Sequence, residues 1–255
     1  MEVKRTIKTD VDSFEVGDVI KFKLTDGEKV QAKAVKETPG GMLFVLVDCL
    51  TKEYPMFYDI DDMNEDDITY MNSDLRKALN GEILTRFPKE IRSRMVAVNA
   101  EGDMLRIPSK MEIFGGNVYE QIKNKKVKRW KLMKECRNRI AFRGKEGTWE
   151  WYWLMDNDQE CASSFTLVSC YGGVLYSNAS MPRGVRPVFC LYNLVDGKRK
   201  FTVGFNVQGC HFIDVTAPST EEAIRTADSR MYASDFGDLL GVNWDEGRIT
   251  DGHRW

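Results

Sequence analysis

Histidine is almost missing from this chain: its 255 residues include two, His211 and His253. A histidine relay or an imidazole-based metal site in the body of the protein would have to rest on His211 alone. That excludes most metalloenzymes with imidazole ligands and argues against Ser/His/Asp and Cys/His hydrolases. Clustered cysteines are missing too. The six cysteines, at positions 49, 136, 161, 170, 190 and 210, never fall within four residues of one another. A zinc ribbon or a thioredoxin-type Cys-x-x-Cys is therefore absent. The longest apolar run, residues 42–47, is far too short to cross a bilayer. No apolar stretch follows Met1-Glu2-Val3-Lys4-Arg5 as it would in a secretion signal. The expectation is a cytoplasmic chain with reduced, mostly buried cysteines. A protein made in a host cytosol can still end on a virion. Charge excess is lacking as well: 37 Lys and Arg face 39 Asp and Glu, a net −2. Nothing at the level of the whole protein draws it to duplex DNA or to an anionic membrane.

What is present suffices for a core. Hydrophobic residues make up 42% of the chain, and the length fits one large domain or two to three small ones. Composition separates a β segment at 1–58, expected to join the core domain, a core at 59–196 and an appendix at 197–255. Residues 19–24 alternate apolar and polar, Thr25-Asp26-Gly27 is a hairpin signal, residues 29–35 alternate again, and 42–47 is a short apolar strand. Asp59, Asp61, Asp62, Glu65, Asp66 and Asp67 then crowd together. The Asp-x-Asp-x-Asp-Gly order of a calcium loop is missing, so this reads as a solvated connector. A helix follows, capped by Asn72 or Ser73, with Asp74 at its positive end and Leu75, Leu79 and Ile83 on one face. A short helix is expected at 89–94 and a strand at 104–108.

Residues 117–138 read as helix and loop and carry Lys123, Lys125, Lys126, Lys128, Arg129, Lys131, Lys134 and Arg137. Two readings stand side by side. The run either contacts nucleic acid, with Trp130 as the stacking residue, or is a solvated face that pairs with the acidic connector.

The most informative stretch is 149–194. Trp149, Trp151 and Trp153 alternate and are expected to supply core volume. Residues 164–170 read as a strand, Tyr171-Gly172-Gly173 as a turn, and residues 174–176 as the start of the return strand. Gly184-Val185-Arg186-Pro187 leads into a last apolar strand at 188–191. Arg186, barred from helix by Pro187, is expected to anchor that strand through a fork of hydrogen bonds to carbonyls or a carboxylate.

These residues resemble a family of uncharacterised domains found in phages and gut-type bacteria, marked by a Trp-Trp-Leu-Arg-Ser core followed by Gly-Val-Arg-Pro. That family is similar in turn to the C-type-lectin-like fold of formylglycine-generating enzymes and phage tropism determinants. Gly17-Asp18 opens the resemblance. Ser73-Asp74-Leu75-Arg76-Lys77-Ala78-Leu79-Asn80 stands for its Ser-x-Leu-Arg-x-Trp-Leu-Asn helix, and Gly102-Asp103-Met104-Leu105-Arg106-Ile107-Pro108-Ser109 for its Asp-x-x-Phe-Leu-Leu-Ser strand. Arg139-Ile140-Ala141, Trp151-Tyr152-Trp153-Leu154 and Gly184-Val185-Arg186-Pro187 complete it, over residues 14–195. The departures matter. Leu-Arg-Ser-Pro becomes Leu154-Met155-Asp156-Asn157, so any role of that arginine is not carried over. The Glu-Pro-Asn and Trp-Asn-Asp calcium motifs of sugar-binding lectins are absent, and Cys161 and Cys170 do not have the spacing of the copper-holding pair.

The expected fold is α+β: an antiparallel C-type-lectin-like core with an N-terminal β segment and a C-terminal ββα appendix. In that appendix residues 201–207 and 210–215 alternate, and Ser219, Glu221 and Glu222 start a helix. His211 is expected to be a packed or surface residue. In the lectin-like fold, as the resemblance implies, ligand loops sit where Asp156, Asn157, Asp158 and Gln159 follow the tryptophan strand and Tyr171, Tyr176 and Asn178 lie on the hairpin. Tyrosine and asparagine suit adaptable recognition. Trp151, Trp153 and Arg186 are read as structural. The leading functional reading is a non-enzymatic recognition protein of phage or mobile-element origin that binds a host or phage protein, or a glycan, with no cofactor, metal or membrane. The alternative is a nucleic-acid-associated or anti-defence protein acting through Lys123, Lys125, Lys126, Lys128 and Arg129. A formylglycine-generating oxidase ranks behind both.

Overall fold

The computed structural model describes residues 6–7, 13–116, 128–144, 147–158, 160–195, 198–207, 209–233 and 248–249. Alternating segments form ladders. β1 (Thr6–Ile7), β2 (Val19–Lys23), β3 (Lys29–Thr38), β4 (Gly41–Leu46) and β5 (Met95–Val96) come before the midpoint. β6 (Ala141–Arg143), β7 (Thr148–Glu150), β8 (Tyr152–Asn157), β9 (Ser164–Val168), β10 (Val174–Asn178) and β11 (Val188–Leu191) follow. A six-stranded sheet runs β1-β2-β3-β4-β11-β5 and curls into a half-barrel; β8, β9 and β10 form a second sheet, with β10 at its edge. The result is a mixed α/β fold dominated by antiparallel sheets.

The apolar run of β4 is buried throughout because both faces are covered. Met42, Phe44 and Leu46 enter one core cluster, and Leu43 and Val45 enter another. β11 and β8 behave alike: Phe189, Leu191 and Trp153 face the first cluster, while Val188, Cys190, Tyr152 and Leu154 face the second. A continuous hydrophobic strand is what two covered faces require.

The helix after the acidic connector forms as its sequence directs. Ser73 Oγ accepts from the Arg76 N–H at 3.1 Å, and Leu75, Leu79 and Ile83 are fully buried. It runs as α1 (Asp74–Ala78), a π turn over Leu79–Ile83 and α2 (Leu84–Arg86). α3 (Lys89–Arg92) follows Pro88, then α4 (Lys110–Phe114) and α5 (Cys136–Arg139). The strand expected at 104–108 is reduced to a bridge between Arg106 and Val188. In place of a neighbouring strand, the Asn80 side chain accepts from the N–H groups of Met104 and Leu105 at 2.8 and 3.0 Å and donates to the Leu105 carbonyl. Pro108 ends the segment, having no N–H to give.

Three further expectations change. The tryptophan alternation does not hold: β7 stops at Glu150 and β8 starts at Tyr152, so Trp153 is fully buried whereas Trp149 is 59% and Trp151 37% exposed. Cys170 lies beyond the end of β9, in the turn. Of the helix and loop expected at 117–138, residues 117–127 lie outside the described residues; the rest is a 3-10 turn at Lys131–Lys134 followed by α5. In the C-terminal part, β12 (Leu194–Val195), β13 (Lys198–Val207), β14 (Gly209–Ala217) and β15 (Arg248–Ile249) form a sheet in which β13 and β14 are a long hairpin. α6 (Thr220–Ala233) packs on β14. Ser219 Oγ accepts from the Glu222 N–H at its start, and His211 stands in β14 opposite Phe205.

Arg186 is buried and its guanidinium joins three segments. Nε donates to the Leu46 carbonyl at 2.6 Å, and Nη1 donates to the Asn138 carbonyl at 3.1 Å and the Tyr152 hydroxyl at 3.0 Å. The Tyr152 hydroxyl in turn donates to the Arg139 carbonyl at 2.8 Å. Removing a buried charged donor strands each acceptor it served, so Arg186→Met should cost roughly 3 kcal/mol and Tyr152→Phe about 1 kcal/mol in urea unfolding. Losses within error for both would show that this network does not hold the sheets together.

Candidate functional site

The hairpin β9–β10 carries three of the seven binding residues singled out in the sequence, Tyr171, Tyr176 and Asn178, and its register sorts the faces. Leu175 and Ser177 stand opposite Leu167 and Phe165, the residues of β9 that enter the first core cluster. Tyr176 stands opposite Thr166 on the other face. β8 bulges opposite this point: Trp153 pairs with Leu167 and Asn157 with Phe165, leaving three residues of β8 against Thr166 alone. A bulge re-aims side chains. Met155 packs on the first core cluster and Asp156 falls on the face of Tyr176.

α4 closes over that face. Its start is fixed by a capping box, in which Ser109 Oγ accepts from the Glu112 N–H while the Glu112 carboxylate accepts from the Ser109 N–H. The same carboxylate takes a bidentate pair from Arg106 at 2.6 and 2.7 Å. Lys110, the first residue of α4, is therefore held over the sheet and buried. Its backbone N–H donates to Asp156 Oδ2 at 2.5 Å, and its Nζ donates to the Tyr176 hydroxyl at 3.1 Å. The Thr166 hydroxyl, fully buried on this face, has no hydrogen-bond partner among the described residues. Asp156 and Tyr176 are thus brought together by Lys110, which the sequence reading missed. The Ser109-x-x-Glu112 pattern marked the helix start and could have pointed to it.

The other predicted residues divide. Asn157, exposed, donates from Nδ2 to the Ile68 carbonyl at 3.0 Å. Asp158 Oδ1 accepts from the Glu160 N–H, and Asn178 Oδ1 accepts from the Ser180 N–H and hydroxyl. These sit at the open end of the three-stranded sheet, since Asn178 faces Ser164 and the Asp158 N–H reaches the Ser164 carbonyl. Gln159 lies outside the described residues. Tyr171 is at the other end of the hairpin. It lies in the turn, outside β10, whereas Tyr176 is in the middle of that strand, so the two belong to different surfaces.

That second surface contains residues far apart in sequence. Tyr171 is 74% exposed, and its ring meets Trp149 edge-on at 6.1 Å. The Cys136 thiol donates to the Tyr171 carbonyl at 3.1 Å. Arg139 donates from Nε to the Gly172 carbonyl at 2.8 Å and from Nη1 to the Met133 and Lys134 carbonyls at 2.7 and 3.3 Å, binding the 3-10 turn to the hairpin turn. Gly172 has φ +75°, and a Cβ there would lie 2.8 Å from Cys136 Sγ, so only glycine closes this contact. Trp130, read as a stacking residue, is buried in the second core cluster instead. Lys128 and Arg129 are exposed, as are Lys131, Lys134 and Arg137. Among the described residues none of them pairs with the acidic connector. Lys123, Lys125 and Lys126 lie outside the described residues.

A third cluster lies beside Gly184. Arg143 pairs with Glu150 at 2.6 Å and with Glu53 at 3.2 Å, and a Cβ on Gly184 would strike Glu150 Cγ and Cys49 Sγ. Arg183 lies over the Trp151 ring at 5.2 Å. Burial raises the Glu150 carboxyl above the usual glutamate range; the Trp151 N–H and the Arg143 guanidinium oppose the shift, and Glu53 adds to it. Burial also pushes the Cys49 thiol up. Cys161 and Cys170 sit at opposite ends of β9, and the five described cysteines other than Cys210 are free thiols. Among the described residues no group of three His, Cys, Asp or Glu could hold a metal, and no helix is long and apolar enough to cross a membrane.

Residues 47–193 match the model of a family described as a domain of unknown function (DUF6273). The match covers more than half of the chain, which belongs to that family. Neither the curated proteins nor the solved structures contain a match.

The Glu150 cluster has a consequence for pH. A raised carboxyl binds its proton more tightly in the folded chain than in the unfolded one. Its contribution to stability is therefore complete below the unfolded value and is lost as pH climbs through the folded value. Glu150→Gln cannot ionise, so its stability should rise relative to the native chain as pH climbs above the ordinary glutamate value of about 4. Urea midpoints across that rise read the difference; a gap that stays constant would mean that Glu150 titrates normally.

Proposed function

We propose that this member of the DUF6273 family is a non-enzymatic recognition protein of phage or mobile-element origin, built on a C-type-lectin-like core. It binds a protein partner through the open end of the β8–β9–β10 sheet. The observation that carries the reading is Tyr176: its side chain is 45% exposed on an edge strand, yet its hydroxyl is held by the buried Lys110. An aromatic anchor already fixed before binding loses little freedom on contact, and tyrosine is among the residues that dominate interfaces. Leu175, on the opposite face of the same edge strand, adds exposed apolar surface at that edge. Asp156, Asn157 and Asp158, two strand spacings away at about 10 Å, and Asn178, two residues along β10 at about 7 Å, supply a polar rim. The antiparallel build of the core and the order of its motifs support the lectin-like reading.

Affinity capture with the full chain from a bacterial lysate tests it. A protein held by the native chain should be held at least tenfold less by Tyr176→Ala, the loss typical of an interface anchor. Val16→Ala, which removes exposed apolar surface just before β2 of the other sheet, should capture as the native chain does. Capture competed by soluble sugars and insensitive to proteolysis of the lysate would shift the partner to a glycan. Equal capture by all three chains would sink the proposal.

A further inference from the structure

We infer that the turn end of the hairpin, separate from the Tyr176 surface, binds single-stranded nucleic acid by stacking bases on Trp149 and Tyr171. The two rings come from different elements, β7 and the turn after β9, and both leave most of their surface in water. Their centroids lie 6.1 Å apart with planes inclined at 62°. Each therefore keeps open ring surface, and neither is needed to fill the core.

Charge identifies the occupant. The 3-10 turn beside this pair presents Lys131 and Lys134 to solvent, and Lys128 and Arg129 precede it, also exposed. None of these four has a carboxylate partner among the described residues. Arg137 is paired, with Glu135 at 2.7 Å. The basic turn is tied to the aromatic pair: one Arg139 guanidinium holds the Lys134 and Gly172 carbonyls together, and Cys136 holds the Tyr171 carbonyl. Uncompensated cations beside exposed ring faces are the combination that tracks a phosphate backbone while bases stack. A duplex hides its base faces, so the fit is to an unpaired strand. A protein partner would use the rings but leave a row of cations unneutralised.

Fluorescence anisotropy of a labelled 15-nucleotide oligo-dT or oligo-U, titrated with the full chain at several salt concentrations, tests the inference. Binding should weaken with salt with a log–log slope of about −0.7 for each phosphate contacted. Trp149→Ala combined with Tyr171→Ala should weaken binding by about tenfold or more at every salt concentration and leave the slope unchanged. Lys131→Gln combined with Lys134→Gln should make the slope shallower by about one to two units. All four positions are exposed, and urea midpoints matching the native chain would confirm that the variants fold. No binding at low salt, binding indifferent to the aromatic pair, or equal affinity for duplex of the same length would each overturn the inference. These outcomes are independent of Tyr176, so failure here leaves the protein-recognition proposal standing, and the reverse.

Discussion

A single buried guanidinium joins the parts of this fold. Arg186 reaches the end of β4, the backbone of α5 and the hydroxyl of Tyr152 on β8. These are three segments that no ladder connects directly. Its acceptors are two carbonyls and a phenol, so directionality rather than charge neutralisation does the joining. Every donor must be satisfied inside the protein, because an unpaired buried donor costs more than a made bond gains. The connection continues outward: the Tyr152 hydroxyl binds the Arg139 carbonyl, and the Arg139 side chain clasps the basic turn to the hairpin turn. The geometry of the aromatic pair at the surface thus depends on an arginine in the core.

Close backbone approach is the second constraint. Gly184 meets Glu150, Cys49 and the Trp151 carbonyl at distances a side chain would violate, and Gly172 meets Cys136 in the same way. Gly184 lies two residues before Arg186, so one short motif both brings the chain against β8 and supplies the fork that locks it. The strand that follows is buried on both faces, which is why β4, β8 and β11 carry apolar residues at successive positions.

Much of the local structure was legible from residues. The Ser73 cap, the buried stripe of Leu75, Leu79 and Ile83, the β2–β3 hairpin and the Ser219 helix start all follow from nearest-neighbour chemistry. The misreadings share one cause: each concerned which way a side chain faces after a chain break or a long-range contact. Trp149 and Trp151 were expected inside because they alternate with Trp153, but the strand breaks between them. Trp130, the stacking residue of the nucleic-acid reading, fills the second core cluster instead. The 104–108 segment looked like a strand, and Asn80 took its hydrogen bonds. The Ser109-x-x-Glu112 pattern marks the helix that Lys110 starts, but the burial of Lys110 comes from packing on the distant β8–β9–β10 sheet.

The sequence by itself determined the exclusions and the local elements: few histidines, unclustered cysteines, no long apolar run, capped helices and tight turns. Each depends on composition or on residues within a few positions of one another, where covalent geometry limits the outcomes. Only the tertiary structure decided which polar and aromatic residues share a surface. Lys110 meets Tyr176 across 66 positions and Cys136 meets Tyr171 across 35. Those meetings follow from packing of whole elements, which no local pattern of charge or hydropathy encodes.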